Sequence, residues 1–306
     1  MSKPSGFIAC LDVGGTSVKS AVVKDDGSLL DHSFSVSPVD SGGSGKHILG
    51  AFAAALGRGL AIIENKRLRL LGIGVSICGP FDYERGISRI TGLDKYEAIY
   101  DVNVKQVLQQ ELRLPAGLPL LFDVDSWSFA RGEVWAGAAR GYRRVIVFTL
   151  GTGVGSAFAL GGRIVSEGPG VPWYGWVSGQ KYRDGILNDY ISRTFMVRRY
   201  EELSGTRLDV KEIAARADGG DSQAKRVFEE VGWELGGFLR DHNVEEFQAE
   251  CLVFGGQISK SFHLFARPLR EALKDVSCLK AIIPAEDIDG SAIKGVGRYV
   301  LDHVEA

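Results

Sequence analysis

The strongest constraint on this chain of 306 residues is a glycine-threonine turn between apolar runs that occurs twice, once near the start and once at the middle. Residues 7–23 read as two strands joined at Asp12-Val-Gly-Gly-Thr16, a hairpin signal. Thr149-Leu-Gly-Thr-Gly-Val-Gly155 repeats the pattern after the strand-like run Arg144–Leu150. Gly14 and Gly15 permit positive φ, Thr16 offers a hydroxyl, and the exposed N–H groups of such a turn can receive a phosphate. A single turn of this kind is explained as well by a plain hairpin. Two of them, one in each predicted lobe, predict phosphates held from both sides by Gly14, Gly15 and Thr16 and by Gly151, Thr152 and Gly153. The GxGxG spacing at 151–155 would suit a dinucleotide fold, but the segment after it (156–160) reads as a strand, not a helix.

A chain this long exceeds the usual single core, so two domains are expected. Hydrophobic residues at 45% and charged residues at 24% describe an ordinary globular enzyme, and a net charge of -2 argues against a nucleic-acid partner. No apolar run reaches the roughly 18 residues of a membrane helix. The N-terminal segment lacks a signal-peptide pattern, so a cytoplasmic location and no membrane partner are expected. Cysteines at 10, 78, 251 and 278 form no CxxC, and the scattered histidines show no metal-ligand spacing. Cys10, Cys78 and Cys251 read as small buried hydrophobes.

Periodicity predicts a strand near Leu29–Val36, a helix over His47–Asn65, a strand over Leu70–Ile77 and a helix over Val104–Leu112. A strand at Leu120–Val124, a helix over 126–139 and the strand Arg144–Leu150 follow. Past the second turn come a hairpin around Gly161-Gly162 and a Gly/Pro/Trp loop over 168–181. Helices are then expected at about 185–204, 209–217 and 221–243, with a strand Cys251–Phe254, a helix near 259–274 and a last helix over 291–304. Hairpins alternating with helices, twice over, predict two α/β lobes of similar plan. The expected division is 1–124, joined by 291–306, and 125–290.

Asp12 at a strand end can hold Mg²⁺ directly or through water, and Lys19 adds positive charge. Gly255 and Gly256 end a strand; they serve either a packed turn or close backbone approach to adenosine. Asp123 and Asp125 precede a helix, where a carboxylate is ordinarily a cap; the chemical alternative is a general base for phosphoryl transfer.

Together, LDVGGTSVK, FDVDSWSFARGE, TLGTGVGSA and LVFGGQIS resemble, in order and over nearly the whole chain, the ROK family of sugar kinases and repressors. The resemblance implies the two-lobed actin-like ATPase (ribonuclease H-like) fold, an α/β architecture with the nucleotide in the cleft between lobes. It implies ATP and Mg²⁺ as cofactors, a small sugar as substrate, a homodimer, and Asp125 as catalytic base when Gly132-Glu133 are matched.

The departures concern the acceptor. Where the family has Glu-x-Gly-His, this chain has Trp173-Tyr-Gly-Trp176, and the cysteine positions of the zinc motif read Gly179, Lys181 and Ile186. The glutamate after them is Asn188, and the two asparagines around the base are Val124 and Trp127. No structural zinc is therefore expected. Trp173 and Trp176 either stack on a sugar ring or fill the volume of the lost ligands. Asp184, Asn188 and Asp189 are candidate replacements, so Gly79, Asp125, Trp173, Trp176 and Asn188 form the expected acceptor set.

The expected activity is ATP-dependent phosphorylation of a sugar hydroxyl, of glucokinase or amino-sugar type. The alternatives are a non-catalytic sugar sensor, or a kinase with a polyol acceptor or a polyphosphate donor. A DNA-binding repressor is disfavoured, because six residues before the first strand leave no room for a helix-turn-helix.

Overall fold

Alternating apolar residues make Phe7–Val13 (β1) and Ser17–Lys24 (β2) an antiparallel hairpin, in register from Phe7↔Lys24 to Val13↔Val18. In the computed structural model, which describes residues 6–304, this hairpin opens the first of two units. The first unit runs through Ala136 and resumes at Asp289; the second is Gly137–Ile288.

The first unit continues with β3 (Ser35–Pro38), α1 (Gly45–Asn65), β4 (Leu70–Ile77), α2 (Val104–Glu111), β5 (Leu120–Val124) and α3 (Asp125–Ala136). Its sheet has the order β3-β2-β1-β4-β5, with β1, β4 and β5 parallel. Ser44 caps α1 by accepting from the His47 N–H, and Ile48, Phe52, Leu56 and Ile63 bury the helix's apolar side in the core over β1 and β2. By length and composition α1 is also apolar enough to cross a membrane.

The second unit comprises β6 (Arg144–Leu150), β7 (Val154–Leu160), β8 (Arg163–Val165), α4 (Arg193–Ser204), α5 (Val210–Asp218) and α6 (Ser222–His242). Then come β9 (Cys251–Gly255), α7 (Phe262–Ala272) and β10 (Ala281–Pro284). The sheet order is β8-β7-β6-β9-β10, the same path as in the first unit. Phe148 and Phe254 stack at 5.3 Å between adjacent strands β6 and β9.

Helix α8 (Ser291–Val304) belongs to the first unit, where Ile293, Val296 and Val300 pack with Ile8, Cys10 and Val23. It crosses α3 at glycines. A Cβ on Gly295 would lie 1.7 Å from the Ser128 carbonyl oxygen, and one on Gly132 would lie 2.0 Å from that of Ser291. This close crossing is why α3 sits in the first unit, whereas a boundary at 124/125 would place it in the second.

Other differences have local causes. The strand expected over Leu29–Val36 forms only at Ser35–Pro38; Leu29 makes a single bridge to Val23. The helix expected over 185–204 is interrupted by a hairpin pairing Lys181↔Ile186 and Tyr182↔Gly185, a turn at Asn188–Ile191, and the cap Ser192, which starts α4. Strand β10 was not anticipated, because its four residues carry too short an apolar run.

Candidate active site

The sheet register of the first unit sets four polar side chains in one row across neighbouring strands. Lys19 pairs with Asp12, Asp12 with Ser76, and Ser76 with Asp123. Ser76 donates to Asp12 Oδ1 at 2.9 Å, and Lys19 Nζ lies 3.8 Å from Asp12 Oδ2 and 3.1 Å from Asp289 Oδ1. Desolvation raises the pKa of Asp12, against the opposing pull of Lys19 and Ser76.

The turn beyond this row does not use positive φ: neither Gly14 nor Gly15 has it. Glycine is required at 14 for space instead, since a Cβ there would sit 2.9 Å from the Ser17 carbonyl oxygen, to which the Gly14 N–H donates at 3.0 Å. Thr16 is exposed at the tip. The Tyr96 hydroxyl donates to the Gly14 carbonyl and so ties the loop at 91–101 to the turn.

The two aspartates of β5 and α3 part company in the fold. Asp123 is buried and accepts from Ser128 Oγ and Arg131 Nε, each at 3.0 Å. Asp125 opens α3 and, among the described residues, accepts only from its neighbour's N–H, that of Ser126 at 2.7 Å. It caps no N–H at the second or third helical position. Its pKa is raised by desolvation; the Ser126 N–H and the Lys95 ammonium oppose that shift. Gly79, in a cis peptide bond with Pro80, follows β4 on the same unit. Lys95, Ser76 and Asp289 were not singled out in the sequence. Ser76 was legible in principle, as a polar residue ending an apolar strand.

In the second unit the register row is Gly155, Thr149 and Gly255. The turn after β6 closes with a bond from Gly151 N to the Gly153 carbonyl at 3.0 Å, and Thr152 is exposed. Gly256 has φ +80, and a Cβ there would meet the Leu150 carbonyl oxygen at 2.4 Å. The glycine pair after β9 is thus packed directly on the turn after β6. Gly255 is fixed by Ser259 Oγ, which donates to its carbonyl at 2.6 Å.

The altered segment is held by hydrogen bonds to β7. Ser156 Oγ donates to the Gly175 carbonyl at 2.7 Å and accepts from Val177 N at 2.9 Å, pinning the Trp-Tyr-Gly-Trp turn to β7. Trp173 is 79% exposed and Trp176 53%, the Trp176 ring lying over Gly179, about 3.1 Å from where a Cβ would stand. The hairpin at 181–186 is tied down by Tyr182 and Arg183, both at 2.8 Å from Glu234. Asp184 accepts from Tyr190 and Asp189 accepts from Ile186 N, so both serve their own hairpin. Asn188 stands beside the turn after β6, its Oδ1 3.9 Å from a Cβ placed on Gly153. Among the described residues no three His, Cys, Asp or Glu side chains cluster to hold a metal ion.

A profile of the ROK family matches residues 8–296 of this chain. The chain belongs to the ROK family. A glucokinase of Halalkalibacterium halodurans is 26% identical over 288 residues, covering 85% of this chain and 83% of that one. Among solved structures, a ROK hexokinase from Thermus thermophilus superposes with a TM-score of 0.78 at 21% identity, covering 98% and 99% of the two chains. A ROK family glucokinase from Streptomyces griseus, solved in complex with glucose and AMPPNP, gives 0.75 at 20% identity, covering 97% and 100%. The fold of this ROK protein is thus the actin-like ATPase fold, and its duplicated strand order is the expression of it.

Proposed function

We propose that this ROK protein transfers the γ-phosphate of ATP to a sugar hydroxyl, with Asp125 taking the hydroxyl proton. The carrying observation is the division of labour between the two aspartates: Asp123 is consumed by Arg131 and Ser128, whereas among the described residues Asp125 accepts only from a backbone N–H. A carboxylate kept free at a helix start, in the unit that also bears Asp12 and the glycine turn, suits a base rather than a cap. The relatives named as glucokinases support the same reaction class.

In this reading each unit carries its own phosphate-contacting turn: Gly14, Gly15 and Thr16 with Lys19 in the first, and Gly151, Thr152 and Gly153 in the second. Adenosine approaches Gly255 and Gly256. Asp12, Asp125 and Asp289 set three carboxylates against the ammonium groups of Lys19 and Lys95, so a polyanionic nucleotide needs added positive charge. Mg²⁺ fits that need. It takes one or two carboxylates and leaves the rest of its shell to phosphate and water, and Asp12 would hold it, directly or through water. When bound it would neutralise phosphate charge.

The acceptor site is rebuilt. The exposed Trp173 suits an acceptor that is stacked rather than gripped by acids, Gly79 and Asp125 are the first unit's acceptor residues, and Trp176 serves the packing of residues 176–179. Asn188 goes with the phosphate turn rather than the acceptor. A coupled ADP-release assay over hexoses, amino-sugars and polyols, run beside Asp125→Asn, tests the reading. Turnover with a sugar that vanishes in the variant is expected, and the absence of turnover above ATPase background with every acceptor would defeat it.

A further inference from the structure

The loop at 91–101 is an unusual piece of backbone. Asp94 and Tyr96 both lie in the left-handed region, with φ 53 and 60, where side chains other than glycine are uncommon. Two such residues flanking a third persist only when the surroundings hold them, and such strain gathers at functional sites. Here the holding is explicit. Tyr96 is fully buried, its N–H donates to the Ser41 carbonyl at 2.7 Å, its ring meets Phe52 edge-on at 5.7 Å, and its hydroxyl donates to the Gly14 carbonyl.

The residue displayed between them is Lys95. Its Cδ lies 3.9 Å from where a Cβ on Gly15 would stand, so the side chain runs over the phosphate turn. Its positive charge opposes the rise that burial imposes on the Cys78 thiol and on the Asp125 carboxyl. Lys19 is already held by Asp289 at 3.1 Å, whereas among the described residues Lys95 makes no ion pair.

We propose that Lys95 is a catalytic residue of the transfer: a preorganised ammonium that contacts the phosphoryl group as it passes from ADP to the acceptor oxygen. The inference rests on the reading of Asp125 and of the glycine turn given above. During transfer the bond from the γ-phosphorus to the β–γ bridging oxygen breaks, the bond to the acceptor oxygen forms, and the hydroxyl proton goes to Asp125. Charge spreads over the three equatorial oxygens of the moving group. A cation fixed there beforehand, and not neutralised by a carboxylate, stabilises that charge without reorganising. Lys95 gives up no proton in the step.

The test uses the full chain with Lys95→Met and Lys95→Arg, glucose as probe acceptor, and AMPPNP and ADP as probe nucleotides. Lys95→Met is expected to lower kcat by about 100-fold while KM for glucose stays within about threefold, and Lys95→Arg to recover at least about tenfold of the loss. AMPPNP, which carries the third phosphoryl group, should bind Lys95→Met more weakly by at least about threefold, with ADP affinity unchanged. Equal loss of ADP and AMPPNP binding, or kcat within about threefold of the parent, would overturn the proposal. Asp125→Asn, measured in parallel, separates the two ideas. If it is inactive while Lys95→Met is normal, only the lysine fails; if it is fully active while Lys95→Met is not, only the base fails. A parent inactive on glucose leaves the AMPPNP-to-ADP ratio to decide the lysine alone.

Discussion

Arg131 donates from Nε to Asp123 across 3.0 Å, and this pair engages one of two neighbouring aspartates, while among the described residues the other, Asp125, makes no ion pair. The guanidinium also lies 4.8 Å over the Tyr299 ring, so the pair is anchored on α8 as well as on α3. Asp123→Asn should therefore cost about 3 kcal/mol of stability by leaving a largely buried cation without its counter-charge. Asp125→Asn should leave the unfolding transition in place and lower kcat by at least about 100-fold. Denaturant unfolding and steady-state kinetics on both variants check the contrast; a stable, inactive Asp123→Asn would reverse the roles.

The pH dependence follows from burial. Desolvation holds the proton on Asp125 to a higher pH than on an ordinary aspartate, and the charge of Lys95 does not cancel that. A base must be ionised, so kcat/KM should fall with falling pH along a limb displaced above the ordinary aspartate value of about 3.9. Stability carries the opposite sign. Asp12, Asp123 and Asp125 all have raised folded values, so the folded state binds their protons more tightly. Their contribution to stability declines as pH rises from the unfolded value to the raised one. A pH series of kcat/KM and of denaturation midpoints reads both.

Gly256 combines positive φ with a Cβ position 2.4 Å from backbone. Gly256→Ala must displace the turn at Leu150, so KM for ATP should rise by about tenfold or more, consistent with about 1–3 kcal/mol of backbone strain. KM for the acceptor should move far less. Equal changes in both constants would separate the glycine pair from the nucleotide.

The crossing of α3 and α8 tolerates no side chain. Gly295→Ala, 1.7 Å from the Ser128 carbonyl oxygen, should destabilise by about 3 kcal/mol and shift α3. A lowered thermal midpoint together with a loss of kcat is expected, since α3 begins with Asp125.

The two tryptophans should separate as well. Trp173→Ala removes a ring that is 79% exposed and should raise acceptor KM with no change in melting temperature. Trp176→Ala uncovers Gly179 and should lower melting temperature instead. Activity of Trp173→Ala identical to the parent on every acceptor would remove it from the site.

The hairpins, the parallel strands and the glycine turns were legible because each rests on a local pattern: alternation, β-branched runs, and glycine at strand ends. The reason for Gly14 was not. Its neighbours suggested positive φ, but the constraint is the nearby Ser17 carbonyl, a contact set by the hairpin's pairing. Local pattern alone did not separate Asp123 from Asp125, and only the match of Gly132-Glu133 did; their physical separation depends on Arg131 arriving two helical turns later. Lys95 was invisible for a similar reason: nothing in its own segment announces a strained loop, and its place over Gly15 is tertiary. For Asn188 the spacing gave a place in a motif but not the fold that carries its Oδ1 to 3.9 Å from a Cβ on Gly153.

Helix α8 has a consequence for the order of events during synthesis. Residues 291–304 leave the ribosome after all 152 positions of the second unit, which runs from 137 to 288. Until then α3 has no partner at Gly132, and the helix that presents Asp125 waits half-assembled. The second unit, whose strands and helices are contiguous in sequence, can fold first, and the earliest-made part of the chain is the last to be finished.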